Sequence, residues 1–444
     1  MSALQTQALV IGGGPLALLT ALALHQRGVD VLLSGEATPL NPPPNPELML
    51  VGGDDMLAPL YQHSLECWRN AAHHFGVEIP LTLTEASDLA TTLGRAEKLR
   101  AEAMLDALGG ETVTYHESPS PWSQASLGHK HWAEAPMLPP DLLARLFVAV
   151  KQANIKQQAM NPASLSIIDL NHPQLTLENG STVQARHIIF TSARALRRVL
   201  PPLGLALPLR PARGHVMGLQ TAQPHGLPLL LQRLERGHLF LVPTAPREVS
   251  LYYDGMNDPA QATFNINPNS QLISALQQHV ARLVPVLAGA VLTRCATLQE
   301  WLTPDFLPAL GPWPGLPGVV VGVGWGGRAT AYAAGAAHTL AEHVASGSMG
   351  INIQSLEPNR FASGMWQVVR QPGSLSWQEP TQNAPSMLSP KPEYMTNVNM
   401  TEAPKAQYAS KVQHIEKTIV ESAARRAVVK TKERPKIQTA SIKP

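Results

Sequence analysis

Ala8-Leu9-Val10-Ile11-Gly12-Gly13-Gly14-Pro15-Leu16-Ala17 decides how the rest of the chain is read. Four apolar residues make a buried strand, three glycines turn, and an apolar stretch to Arg27 makes a helix. A second strand over 29–33 follows, and Glu36 comes just after it. Strand, glycine turn, helix, strand and acid in this order form the dinucleotide-binding βαβ fingerprint, with alanine in the third small position. Gly12 makes the tight turn, Gly14 lets backbone approach a pyrophosphate, and Ala17 lets the helix sit close to the strand. The helix N-terminus at Pro15 and Leu16 then meets the phosphate charge. Glu36 stands where a carboxylate accepts hydrogen bonds from both ribose hydroxyls, which favours FAD or NAD over NADP.

The 444 residues, 44% of them hydrophobic and 15% charged, are enough for two domains with a sizeable core. A net charge of +2 predicts no general attraction to nucleic acid. Cys67 and Cys295 are far apart and lack metal-ligand spacing, so neither a disulfide framework nor a metal site is expected, and both read as small buried apolar residues. The N-terminus carries no basic region ahead of its apolar run, and no stretch of about 18 apolar residues occurs. These features predict a cytoplasmic enzyme without a membrane span.

Beyond Glu36, five prolines within 39–46 force an extended or turning chain. A helix is predicted over 56–75, closing at Gly76. Residues 81–139 read as helix and irregular structure, with Trp122 and Trp132 as packing residues. A further amphipathic helix covers 142–153. Asn179-Gly180 between two apolar runs is the strongest hairpin signal in the chain. Strand-like segments follow at Val216, 239–242 and 249–253, then a helix over 272–284. His73-His74 and His129-Lys130-His131 lack carboxylate or cysteine partners at ligand spacing and read as solvated or capping residues.

A second glycine cluster, Gly318-Val319-Val320-Val321-Gly322-Val323-Gly324-Trp325-Gly326-Gly327, closes the body and leads into a small-residue helix over 330–344. A buried strand that feeds glycines and then a helix again brings backbone amides against a ligand at strand carboxyl ends.

The order of these motifs resembles the D-amino-acid oxidase-like family of FAD-dependent amine and amino-acid oxidoreductases, over about residues 4–364. Family-like segments are Leu207-Pro208-Leu209-Arg210-Pro211-Ala212-Arg213-Gly214-His215, Thr303-Pro304-Asp305-Phe306-Leu307-Pro308-Ala309-Leu310-Gly311, the closing loop with Gly322, Gly327, Ala331 and Gly335 in register, and Pro358-Asn359-Arg360-Phe361. The resemblance implies an α/β fold. Its Rossmann-like FAD-binding domain is assembled from 1–80, 141–206 and 301–364. The α+β substrate domain, dominated by a mixed sheet, comes from 81–140 and 207–300. FAD is the implied cofactor, held by Gly12, Gly13, Gly14, Pro15, Leu16, Ala17, Glu36, Thr191, Gly322, Gly324, Gly326, Gly327, Arg328, Ala329 and Thr330. The implied chemistry is hydride transfer from a small amine to the flavin, which needs no protein base.

The departures from the family pattern carry information as well. Glu300 stands near the place of an arginine that clamps a substrate carboxylate, and a carboxylate does not bind another without a proton or cation between them. Val323 and Trp325 replace polar residues of the closing loop, and Arg328 is shifted from the usual position. Tyr252, Tyr253, Glu300, Trp325 and Arg328 are therefore the candidates for the substrate side, and a simple amino acid is not the expected substrate. A flavin-binding subunit without turnover, acting as a scaffold, is the alternative.

From residue 381 the chain carries a net +6, against −4 for residues 1–380. Pro-, Ser-, Asn- and Gln-rich composition over 371–404 predicts disorder. Tyr408, Val412, Ile415 and Ile419 then form an apolar helical stripe. The tail over 365–444 reads as a largely disordered basic extension, and its 381–444 part as a contact for a protein partner.

Overall fold

The structure, a computed structural model, describes residues 4–35, 56–108, 112–158, 161–169, 172–203, 205–256, 258–263, 265 and 267–361. Glu36, the proline-rich loop and the tail over 365–444 lie outside the described residues.

The fingerprint folds as β1 (Leu4–Ile11), α1 (Pro15–Gln26) and β2 (Val31–Ser34). The helix expected over 56–75 is two, α2 (Ala58–Arg69) and the short α3 (Ala71–Phe75), broken at Asn70 and closed by Gly76 in the left-handed region, φ 67°. Residues 81–139, read as helix and irregular structure, do hold a helix but also three strands: β3 (Thr82–Ala90), α4 (Leu93–Leu108), β4 (Val113–His116) and β5 (Gly128–Met137). The strands were hidden by charge in the core. Asp88 and Lys130 are each 1% exposed, Asp88 paired with Arg95 at 2.7 Å and Lys130 with Asp106.

Next come α5 (Leu142–Gln152), β6 (Lys156–Gln158), β7 (Pro162–Asp169), β8 (His172–Leu177), β9 (Thr182–Phe190) and α6 (Ala193–Val199). Asn179-Gly180 does form the β8–β9 turn, with Gly180 at φ 78°. The chain continues through β10 (Arg210–Gln220), β11 (Leu229–Leu234), β12 (Gly237–Ala245), β13 (Glu248–Tyr253), α7 (Ser270–Leu283) and β14 (Val291–Leu302). It closes with β15 (Ala309–Trp313), β16 (Leu316–Val323) and α8 (Ala329–Ser346).

Two eight-stranded sheets organise the fold. The first runs β15-β16-β9-β1-β2-β6, with β7 and β8 attached at β9. From β16 to β6 its neighbours are parallel, so both faces are covered. Leu18, Leu22, Trp68, Leu146 and Leu340 of α1, α2, α5 and α8 pack on one face, and Leu196 and Val199 of α6 pack on the other. The second sheet runs β14-β10-β13-β12-β11-β3-β5-β4 and is mixed, its one parallel pair being β11 with β3. Ile273, Leu276, Val280 and Leu283 of α7 cover one face through Met217, Leu239, Leu251 and Tyr253. No helix among the described residues is long and apolar enough to cross a membrane.

Candidate functional site

The carboxyl ends of β1, β9, β2 and β16 lie side by side, and this edge is where an open α/β sheet takes a ligand. The Gly12 N–H donates to Ser34 O at 2.9 Å, and both the N–H and the hydroxyl of Thr191 donate to Ile11 O, at 3.0 and 2.9 Å. The glycines of the turn have different physical roles. A Cβ on Gly12, whose φ is +153°, would stand 2.1 Å from Thr191 Oγ1 and 3.2 Å from the Ala17 Cβ. Packing therefore demands glycine there. A Cβ on Gly13 or Gly14 would meet nothing within 4 Å among the described residues, and Gly14 has an ordinary extended backbone (φ −89°, ψ 179°). Among the described residues no side chain caps α1, its first turn holds no acid, and Pro15 opens it. The start of this 12-residue helix thus carries no side-chain cap and has open space at Gly13 and Gly14 among the described residues, as a bound anion requires.

The second glycine cluster ties the two sheets together. Gly324 and Gly326 take left-handed backbone (φ 85° and 58°), and Trp325 bridges to Leu302 at the end of β14. A Cβ on Gly326 would stand 2.6 Å from Leu302 Cδ2, and one on Gly327 would stand 2.1 Å from Tyr252 Oη. Gly322 lies deeper, where a Cβ would meet Leu340 at 3.1 Å and Leu16 at 3.2 Å, so its lack of a side chain serves helix packing. Trp325 turns inward: its Nε1–H donates to Gly322 O at 2.9 Å and its ring stacks on Tyr332. The Arg328 guanidinium donates to Phe306 O, and its buried Nε has no hydrogen-bond partner among the described residues. Ala329 and Thr330 begin α8, with Thr330 buried.

Across this loop stands the second face of the mixed sheet. Strand alternation puts Ala212, Gly214 and Val216 of β10 on that face, with Glu300 of β14 opposite Ala212 and Tyr252 of β13 opposite Val216. The Tyr252 hydroxyl donates to Glu300 Oε1. A Cβ on Gly214 would lie 3.0 Å from the Tyr252 ring and 3.4 Å from Glu300 Oε1, so this glycine clears the space the pair occupies. Phe240 stacks on Tyr252 at 5.7 Å, and Val216, Leu231 and Val242 complete an apolar wall.

Tyr252, Glu300, Gly326 and Gly327 are thus brought together, whereas Tyr253 and Trp325 are not part of the group. Tyr253 points to the opposite face, under α7, donates to Arg236 O at 3.2 Å, and has its hydroxyl pKa pushed up by burial. Arg213 and His215 share that face and both bond Gln261 Oε1 at 3.0 Å. Burial lowers the pKa of the His215 imidazole, which favours its neutral form. Sequence reasoning missed Phe240 and Gly214; period-2 alternation counted from Tyr252 and Val216 across the sheet would have found them.

The sequence matches the model of the DAO family, described as FAD dependent oxidoreductase, over residues 7–343. The chain belongs to that family. A search of the curated proteins gives no match. Among solved structures, glycine oxidase from Geobacillus kaustophilus superposes with a TM-score of 0.69 at 18% identity, over 81% of this chain and 99% of that one. L-proline dehydrogenase from P.horikoshii gives 0.68 at 16% identity, over 82% and 99% of the two chains. Iminodiacetate oxidase from Chelativorans sp. BNC1 gives 0.64 at 20%, over 79% and 99%. These likenesses carry the fold. Family membership implies FAD as the cofactor, and the open glycines and the uncapped helix end fit its pyrophosphate.

Proposed function

We propose that this FAD dependent oxidoreductase oxidises an amine whose neighbouring group is uncharged or cationic, not the carboxylate of a simple amino acid. The observation that carries the reading is the Glu300 carboxylate, held by the Tyr252 hydroxyl beside the Gly326–Gly327 turn. A carboxylate in this place attracts a donor or a cation and repels a second carboxylate, and removing like charges from water together adds to the cost. Two of the three arginines near this face in sequence are engaged elsewhere: Arg210 donates to Met256 O at 2.6 Å, and Arg213 lies on the far face. Arg328 spends one guanidinium nitrogen on the backbone carbonyl of Phe306, while its buried Nε keeps no hydrogen-bond partner among the described residues.

Bound FAD supplies the acceptance of hydride from the amine-bearing carbon. This chain's residues do the rest. Gly13, Gly14 and the first turn of α1 hold phosphate charge. Tyr252 orients Glu300, and Glu300 accepts an N–H of the substrate, which fixes the direction of its C–H bond. Leu231, Phe240 and Val242 exclude water from the reacting face. Hydride removal from a neutral amine needs no protein base, so the buried His215 of the opposite face is not required for it.

The test is anaerobic mixing of purified holoprotein with paired substrates, each amine with and without an α-carboxylate, while flavin bleaching is followed. Faster bleaching by the amines without a carboxylate is expected. Rapid bleaching by glycine or D-alanine would overturn the substrate reading, and bleaching by no amine would favour a flavin-binding scaffold.

A further inference from the structure

We propose that His63 and Cys67 of α2, together with His338 of α8, form a zinc site on the FAD domain, away from the glycine crevice and the Tyr252–Glu300 pair. His63 and Cys67 are four residues apart and so share one face of α2. Sequence spacing alone offered no third ligand for Cys67. The fold supplies it from a helix more than 270 residues later. His63 Nε2 lies 3.3 Å from His338 Nδ1 and 3.7 Å from Cys67 Sγ, and the three ligand atoms all lie within 4.8 Å of one another.

The two spacings from His63 Nε2 are close to those a tetrahedral ion needs, and Cys67 Sγ and His338 Nδ1, within 4.8 Å of each other, complete the group. With Zn–N of about 2.05 Å and Zn–S of about 2.3 Å, tetrahedral angles put two nitrogens about 3.3 Å apart and a nitrogen and sulfur about 3.6 Å apart. Two imidazoles and a thiolate are a donor set for zinc rather than for calcium or magnesium. Zinc binding releases the thiol proton of Cys67 to solvent, so one cation replaces one proton and the sulfur becomes a thiolate ligand.

The site is preorganised by how α2 meets α8. Gly335 has Ser64 backbone against it: a Cβ there would stand 2.8 Å from both Ser64 Cα and Ser64 N. The Ser64 hydroxyl donates to Ala331 O at 2.8 Å and accepts from Gly335 N–H at 3.1 Å, while Trp68 Nε1–H donates to Ala331 O at 3.2 Å. These bonds fix the register of the two helices between and beside the three ligands. Cys67 is fully buried, whereas His63 and His338 are partly exposed, which leaves an entry path from the histidine side. His74 lies edge-on to His338, with ring centroids 4.6 Å apart. Glu66 and Glu342 act on the cluster as negative charges, and Arg27 acts as the opposing positive one.

The experiment strips the purified holoprotein with a chelator, dialyses it against zinc chloride, and counts retained zinc per chain by elemental analysis. About one equivalent is expected. Cys67→Ser and His338→Ala should each bring it to background at unchanged flavin content, while Cys295→Ser keeps it. Equal zinc in the unmodified protein and these variants, or none in the unmodified protein, would overturn the site. Should either variant fail to fold, the unmodified protein loaded with cobalt(II) decides the matter. Tetrahedral d–d bands to the red of the flavin absorption, with a thiolate charge-transfer band, support the assignment; an octahedral, thiolate-free spectrum refutes it.

Discussion

The crevice at the strand ends and the face around Tyr252 belong to one molecule but are built from different materials. The crevice is made of backbone: amides of the first turn of α1, glycines without side chains, and carbonyls pinned by Thr191 and Gly12. The proposed substrate face is made of side chains from three strands, with Tyr252, Glu300 and Phe240 meeting through the registers of β10, β12, β13 and β14. Backbone recognises what every member of a cofactor class shares, a pyrophosphate. Side chains in register recognise what differs between substrates. One region can therefore keep its role while the other changes its ligand.

The two glycines at the ends of the first turn offer the sharpest way to break this contrast. Gly14→Val should leave a folded, colourless protein. The fold has room for a side chain there and the backbone is ordinary, but the added methyls take the space of the pyrophosphate. Absorption spectra with circular dichroism check it, and a fully yellow variant would sink the crevice assignment. Gly12→Ala should fail in another way, through the fold. Left-handed backbone strain and the approach to Thr191 Oγ1 together cost roughly 2–4 kcal/mol, which a denaturant titration reads directly.

Smaller effects follow outside the described residues. Glu36→Ala should weaken FAD retention by roughly 1.5–3 kcal/mol if both ribose hydrogen bonds to the carboxylate are lost; unchanged affinity in a flavin titration means another residue holds the ribose. Deletion of 381–444 should change flavin content and thermal midpoint very little, since a Pro-, Ser- and Lys-rich segment adds little to a core. We propose that this segment binds a protein partner, in which case the deletion abolishes that association, and salt weakens it in the full chain.

What was legible in the sequence follows the same division. The βαβ unit could be read from Ala8 to Ala17 because each of its requirements falls on neighbouring residues. Its helix carries Thr20 as the one polar residue before His25 for a physical reason, since α1 lies buried under α8 and α5 with nine of its twelve residues covered and Thr20 donates to Leu16 O within the helix. Strands β3 and β5 could not be read, because Asp88 and Lys130 occupy core positions that charges on other elements make tolerable, Arg95 and Arg233 for Asp88 and Asp106 for Lys130. Glu300 could be picked out by its departure from a family pattern. Its partner Tyr252 could not be told from Tyr253, as the choice between two adjacent tyrosines rests on which face of β13 meets the glycine loop. His63, Cys67 and His338 are the same case at greater distance: an i,i+4 pair gains a third ligand only when α8 docks.

The division between backbone and side-chain recognition is tested most directly by Glu300→Gln, read as the ratio of kcat/KM for an uncharged amine to that for the same amine bearing an α-carboxylate. Glutamine keeps the size and the bond from Tyr252 but removes the charge. The ratio should fall by about tenfold or more, worth about 1.4 kcal/mol of transition-state discrimination, with flavin content unchanged. A ratio that does not move, in a variant that binds FAD as the unmodified protein does, would contradict the account and remove Glu300 from substrate selection.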